Sequence, residues 1–187
     1  CKKVEISHTH RKGYEPMIDK KMQDAINDQV NAELFSAYLY LSMSAYFENI
    51  RLRGFANWIR VQAQEEMLHA MKMFDFVIER GGRAILKAVD APANEWASPL
   101  AAFEAVVEHE QKVTARINKL VDIAMELRDH ACSTFLQWFV TEQVEEESTA
   151  GQIVDELKMI GDAPSGLFMM DREMATRVFL PPAAPQA

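Results

Sequence analysis

What most constrains this chain is where its helix breakers sit. Glycine and proline number seven each, and they gather in a few places. Between those places lie long stretches with apolar residues at helical spacing. The spacing predicts helices over about 18–48, 53–80, 99–128 and 131–160. Gly81-Gly82 stops the second. Ser98 and Pro99 open the third as N-cap and first helical position, and Gly161 ends the fourth. A short fifth helix, about 166–178, follows the Pro164-Ser165-Gly166 break. Strand-like alternation is absent, so the fold class is all-α.

Four long helices of similar length imply a four-helix bundle. The first and second are joined by a few residues, as are the third and fourth, so each pair is antiparallel. The connection over about 81–98, containing Pro92 and Trp96, is longer. A helix of about 28 residues is roughly 42 Å long. An extended connection of eighteen residues reaches about 60 Å. It can therefore run the length of the bundle and set the second and third helices parallel. The single domain covers 17–180. Residues 1–16, polar and without period, read as a disordered or processed arm, and 181–187 as a loose tail.

A net charge of −8 argues against a nucleic-acid partner and suits a cationic one. No apolar run reaches the roughly 18 residues of a membrane span. Cys1 and Cys132 form neither a CxxC nor a zinc spacing, and Cys132 reads as a buried apolar residue. The expected location is cytoplasmic. Cys1, the residue on which a mature lipoprotein begins, leaves room for a lipid-anchored or exported form. His8 and His10 could touch metal, but the arm that carries them is expected to be unstructured.

The function lies in acids on apolar stripes. On the third helix, Phe103, Val106, Glu110, Val113, Ile117, Leu120, Ala124 and Leu127 share a face, apolar but for Glu110. The first gives Ile26, Val30, Glu33, Ala37, Tyr40, Ser44 and Phe47. The second gives Phe55, Ile59, Gln62, Glu66, His69, Met73 and Phe76. The fourth gives Phe135, Phe139, Glu142, Glu146, Thr149, Ile153, Leu157 and Ile160, with Gln143 beside that face. A lone Glu on a helix is ordinarily solvated. Here four helices each carry an inward acid near mid-length, so the acids meet at one level. Buried carboxylates cost several kcal/mol each unless compensated. The twenty Lys and Arg fall mostly off these faces. A bound metal ion supplies the missing charge. Oxygen ligands with one imidazole suit iron or manganese better than copper, and zinc competes. Glu66 and His69 stand at i, i+3 and so on one face. Gln143 and Glu146 repeat that spacing on the fourth helix, which has no inward histidine, so a second Glu-x-x-His pair is excluded there.

The segments NAELFSAYLY around Glu33, QEEMLHA around Glu66 and His69, EHEQ around Glu110, and LQWFVTEQVEEE around Glu142–Glu146 resemble the prokaryotic non-haem ferritins over residues 17–180. The resemblance implies a ferritin-like bundle that stores iron and acts as a ferroxidase, oxidising Fe(II) with O2 or peroxide at a di-iron centre. One iron would take Glu33, Glu66 and His69. A second would take Glu66, Glu110 and Glu146, with Glu66 bridging. Gln143 would lie beside the second iron and Tyr40 beside the centre. A weaker third site would use Glu65, Glu142, Glu145 and Glu146. The implied assembly is a hollow homo-oligomer of 24 subunits, with the fifth helix at its fourfold contacts. Met67 stands where a bacterioferritin places its haem-binding methionine, but a haem is not expected. A peroxidase of rubrerythrin type needs a four-cysteine iron module that two cysteines cannot build.

Overall fold

The computed structural model describes residues 17–180. The expectations for the arm, with Cys1, His8 and His10, and for the tail lie outside the described residues. Five helices follow in order: α1 (Lys20–Asn49), α2 (Arg53–Glu79), α3 (Pro99–Glu126), α4 (His130–Ile160) and α5 (Pro164–Met174). Three of them start on side-chain caps, which satisfy amide groups that a helix leaves open. Asp19 accepts from Lys21 N at 2.7 Å, Ser98 from Ala101 N at 3.0 Å, and Asp129 from Cys132 N at 3.0 Å. The fifth helix sits earlier than the expected 166–178. Pro164 occupies its first turn, where a missing N–H costs nothing. The chain leaves the helix after Met174 and runs back along α2.

The long connection climbs the outside of α1. Arg83 N donates to Gln23 Oε1 at 2.9 Å, Asn31 Nδ2 to Ala88 O at 3.3 Å, and Ser42 Oγ to Ala93 O at 2.7 Å. Trp96 then packs edge-on to Tyr46, near the C-terminal end of α1. The crossover therefore spans the bundle, and α3 runs parallel to α2 as the loop lengths require. At the opposite end, Arg80 grips Asp129 with two bonds of 3.1 Å and ties the close of α2 to the start of α4. Among the described residues, no helix is long and apolar enough to cross a membrane.

Two apolar clusters fill the bundle. One holds Tyr40, Phe47, Phe55, Ile59, Val106 and Ala150; the other Ile26, Val30, Met73, Val113, Leu136 and Phe139. On every long helix the gap between the clusters falls at the same depth. Glu33, Glu66, His69, Glu110 and Gln143 occupy that gap, each at most 5% exposed.

The inward face of α4 differs from the expected stripe. Leu136, Gln143 and Ala150 are buried, whereas Glu142 and Glu146 are only half-buried and Phe135 is on the flank. The residue that α4 buries most deeply at the centre is a neutral amide, Gln143, with the half-buried Glu146 bonded to Gln62 beside it. Phe76 and Leu127 are also only half-buried, and Val77 takes the inward place on α2. Over such long helices the 3.6-residue period drifts around the helix, so a stripe drawn in fixed steps slips by one position.

Candidate metal centre

The centre is a polar layer between two apolar ones. Glu33 and Glu66 are each 1% exposed and His69 is 3% exposed. One ligand atom from each of the three lies within 4.8 Å of the others, and no other group of three His, Cys, Asp or Glu among the described residues converges as closely. His69 Nδ1 is 3.5 Å from Glu66 Oε2. Trp138 and Phe139 meet the imidazole edge-on and fix its plane. Glu33 Oε2 and Glu66 Oε2 are buried without a hydrogen-bond partner among the described residues. Buried polar atoms are nearly always paired, so two unpaired carboxylate oxygens on acids that converge with one imidazole are a donor set suited to a cation. Oxygen, oxygen and nitrogen donors at this spacing fit one divalent cation.

On the other side stand Glu110, Gln143 and Glu146. Glu110 accepts from the Tyr40 hydroxyl on one oxygen and from Gln143 Nε2 on the other, the latter at 3.3 Å. Gln143 also reaches the Glu110 carbonyl at 3.3 Å and Thr114 Oγ1 at 3.2 Å. Glu146 Oε2 accepts from Gln62 Nε2 at 2.6 Å, and the same nitrogen is 3.5 Å from Glu66 Oε1. Gln62 thus spans the gap between the two sides.

Electrostatics follow from burial. Desolvation, and then the neighbouring Glu66, hold the Glu33 carboxyl well above its ordinary range. Desolvation, with Glu110 and Glu146 after it, does the same to Glu66. Glu110 is raised by burial, against its bonds from Tyr40 and Gln143. Glu146 is pushed up to about 7 by burial and then by Glu110. Burial and Glu110 keep the Tyr40 phenol protonated, so it remains a donor. Acids crowded without countercharge resist ionisation, and a divalent cation reverses that.

A profile of the ferritin-like domain matches residues 23–160. The chain is 49% identical to the bacterial non-heme ferritin of Bacteroides fragilis over 161 residues, 86% of this chain and 100% of that one. It is 41% identical to the one from Staphylococcus haemolyticus over 163 residues, 87% of this chain and 98% of the other. The chain belongs to the prokaryotic non-haem ferritins. Among solved structures, an open pore ferritin from the hyperthermophilic archaeon Archaeoglobus fulgidus matches with a TM-score of 0.86 at 57% identity, covering 88% of this chain and 100% of that one. A form of the Archaeoglobus fulgidus ferritin engineered to be closed matches with the same TM-score, 0.86, at 58% identity, over 87% of this chain and 99% of that one.

In this ferritin the four acids expected at a third site, Glu65, Glu142, Glu145 and Glu146, do share a surface. They line an open cavity of about 410 Å³ with His69, Thr149 and Arg177. Glu65 is not free there, because Arg177 Nη2 bonds its Oε2 at 2.5 Å. Met67 is 43% exposed. Cys132 is fully buried, and burial beside Asp129 pushes its thiol up to about 12, which leaves it inert.

Sequence reasoning missed four residues that shape the centre: Gln29, Arg116, Arg177 and the orienting role of Gln62. Two of them had a signal. Gln29 stands four residues before Glu33, and Gln62 four before Glu66, so both helices carry the same i, i+4 amide–acid pair. The arginines had none, since they reach the layer only through the fold.

Proposed function

We propose that the chain is an iron-storage subunit whose buried centre oxidises Fe(II). The reading is carried by one observation: two of the three residues that converge on one point, Glu33 and Glu66 beside His69, each bury an Oε2 that has no hydrogen-bond partner among the described residues. Fe(II) is the substrate. One ion takes Glu33, Glu66 and His69. The second takes Glu66, Glu110 and Glu146, with Glu66 shared and Gln143 alongside. Hard anionic oxygens favour Fe(III) over Fe(II), so binding there lowers the potential and drives oxidation. With O2 as oxidant, two Fe(II) each give up one electron and O2 takes two electrons and two protons, leaving two Fe(III) and hydrogen peroxide. A peroxide molecule accepts two electrons in the same way and leaves water. The protonated Tyr40 holds Glu110 in place. Gln143, neutral and a weak ligand, keeps the second position loose so that Fe(III) can move on to storage. The third site forms when a cation in the open cavity displaces Arg177 from Glu65.

Storage requires a closed container, and we propose the 24-subunit shell. Large apolar side chains left exposed on one chain support assembly. Tyr38, Leu41, Met67, Met71 and Leu86 are each more than two-fifths exposed, and Phe168 and Met169 project from α5, where fourfold contacts would lie. The test is anaerobic loading with Fe(II), then O2, followed by absorbance of Fe(III), with particle mass measured on the same sample. Stoichiometric oxidation of about two Fe(II) per chain in a large particle is expected. Chains that stay single, or that oxidise iron no faster than buffer, would refute the proposal. An absorption spectrum of the purified protein decides whether Met67 holds a haem.

A further inference from the structure

Two arginines reach the acid layer by the same indirect route. Arg116, on α3, donates from Nε to Gln29 Oε1 at 2.8 Å and from Nη2 to the Asp28 carbonyl at 2.8 Å. Gln29 is 1% exposed, and its Nε2 donates to Glu33 Oε1 at 2.8 Å. Arg177, in the segment after α5, donates from Nη1 to Gln62 Oε1 at 2.9 Å. Gln62 is also 1% exposed, and its Nε2 serves Glu146 Oε2 at 2.6 Å and Glu66 Oε1 at 3.5 Å. An amide has a donor end and an acceptor end, and a buried one could be turned either way. A guanidinium only donates. Each arginine therefore fixes its glutamine with the oxygen outward and the N–H groups toward the acids. Turned over, the amide would set an oxygen against a carboxylate.

The relays also decide which carboxylate oxygens stay open. Gln29 occupies Glu33 Oε1, and the orphan is Glu33 Oε2. Gln62 lies against Glu66 Oε1, and the orphan is Glu66 Oε2, the oxygen beside His69. Both orphans are on residues of the converging cluster.

We propose that Arg116 and Arg177 are positioning residues for the metal centre, each acting through one buried glutamine that holds one carboxylate oxygen and presents the other. Arg116 works through Gln29 on Glu33, and Arg177 through Gln62 on Glu146 and Glu66. Arg177 is placed for this by α5. Asp171 accepts from Gly54 N at 2.7 Å and Phe55 N at 3.1 Å, and Asn57 Nδ2 holds the Arg177 carbonyl at 2.9 Å. A Cβ at Gly54 would come within 1.5 Å of the Asp171 carbonyl oxygen, so only glycine lets α5 dock there.

The inference rests on the two-metal reading, and Co(II) tests the two separately. The assembled, iron-free protein is titrated anaerobically with Co(II). Hyperfine-shifted imidazole resonances of His69 report the site it shares with Glu33 and Glu66, and visible absorbance counts all bound metal. Wild type showing no His69 shift would break the two-metal reading itself. Given that shift, Arg116→Ala and Gln29→Leu should each raise the Co(II) needed for half-saturation of the His69 signal by about tenfold, as loss of an outer-shell partner does. Arg177→Ala and Gln62→Leu should weaken the second equivalent by a similar factor through Glu146, and through the shared Glu66 should also raise the His69 midpoint. The double variant R116A/Q29L should bind no more weakly than Q29L, because Arg116 acts only through Gln29. Arg116→Lys, which keeps a donor, should recover most of the loss. Tight His69-site binding in R116A, or additive losses in the double variant, would overturn the proposal. A merely structural role for Arg116 would lower the melting temperature and leave the Co(II) midpoint where it was.

Discussion

The two sides of the acid layer satisfy their hydrogen bonds to different degrees. On the α1–α2 side, Glu33 and Glu66 each bury an oxygen that has no hydrogen-bond partner among the described residues. On the α3–α4 side, Tyr40 and Gln143 take both oxygens of Glu110, and Glu146 is half-buried with Gln62 upon it. The first side leaves acceptors open, and the second has more of its oxygens hydrogen-bonded, although burial raises its acids as well. Breaking a buried polar arrangement by removing one partner leaves a large penalty, whereas a satisfied one can stand alone. The difference bears on how one centre could both capture an ion and let one go: on the proposed reading the first side would hold an ion tightly, and the second would have to give up hydrogen bonds to bind one.

The most severe way to break this contrast is to remove the acid shared by both sides. Glu66→Ala should slow Fe(II) oxidation by about 100-fold or more, since both metal positions lose a ligand. At pH 8 and free of metal, Glu66→Gln should melt a few degrees above wild type, on the order of 1 kcal/mol, because a strained buried charge is gone. A lower melting point would mean that Glu66 is already compensated within the chain.

Next in size is the asymmetry itself. Glu33→Gln should abolish tight metal binding at the histidine, whereas Glu146→Gln should keep one tightly held ion per chain and lose the second. Calorimetric titration with Co(II) gives the stoichiometry. Equal losses from the two variants would erase the distinction between the sides.

A smaller, kinetic effect is expected at the loose position. Gln143→Glu adds a hard anionic ligand, so the first burst of oxidation should persist while later turnovers slow by roughly tenfold, as Fe(III) stays bound. Multiple-turnover oxygen uptake measures this, and an unchanged steady rate removes the releasing role from Gln143.

The smallest effect is in stability against pH. Glu146 is raised from 4.5 to about 7, so the fold favours its protonated form. That contribution is complete below about pH 4.5 and fades as the pH climbs through about 7. Between about pH 5 and pH 8 the metal-free wild type should therefore lose melting temperature faster than Glu146→Gln, which has no proton to lose there. A divalent cation should cancel the fall, because it binds the ionised form. Parallel slopes for the two proteins would show that Glu146 titrates as an ordinary exposed acid.

Much of this molecule was legible along the chain. Sparse breakers marked the helix ends, and the length of the 81–98 connection allowed a crossover, because setting the next helix parallel takes a link that runs back along the full bundle. Glu33, Glu66, His69 and Glu110 stood out as polar residues on apolar stripes, a signal that depends only on helical period. The weakest expectation was α4. Its inward residue is Gln143, with Glu142 and Glu146 on the flanks, since drift around a long helix moves a stripe drawn in fixed steps. The fifth helix was placed late because Pro164 begins it.

Local chemistry, then, wrote the helices, their caps, the crossover and the level at which the acids meet, for each depends on residues a few positions apart. Which oxygen of each acid stays open was decided only by the folded bundle. Arg116 and Gln29 are 87 positions apart, and Arg177 and Gln62 are 115 apart. No period links such residues. A guanidinium finds its amide only after α3 has packed on α1 and the chain beyond α5 has been laid along α2.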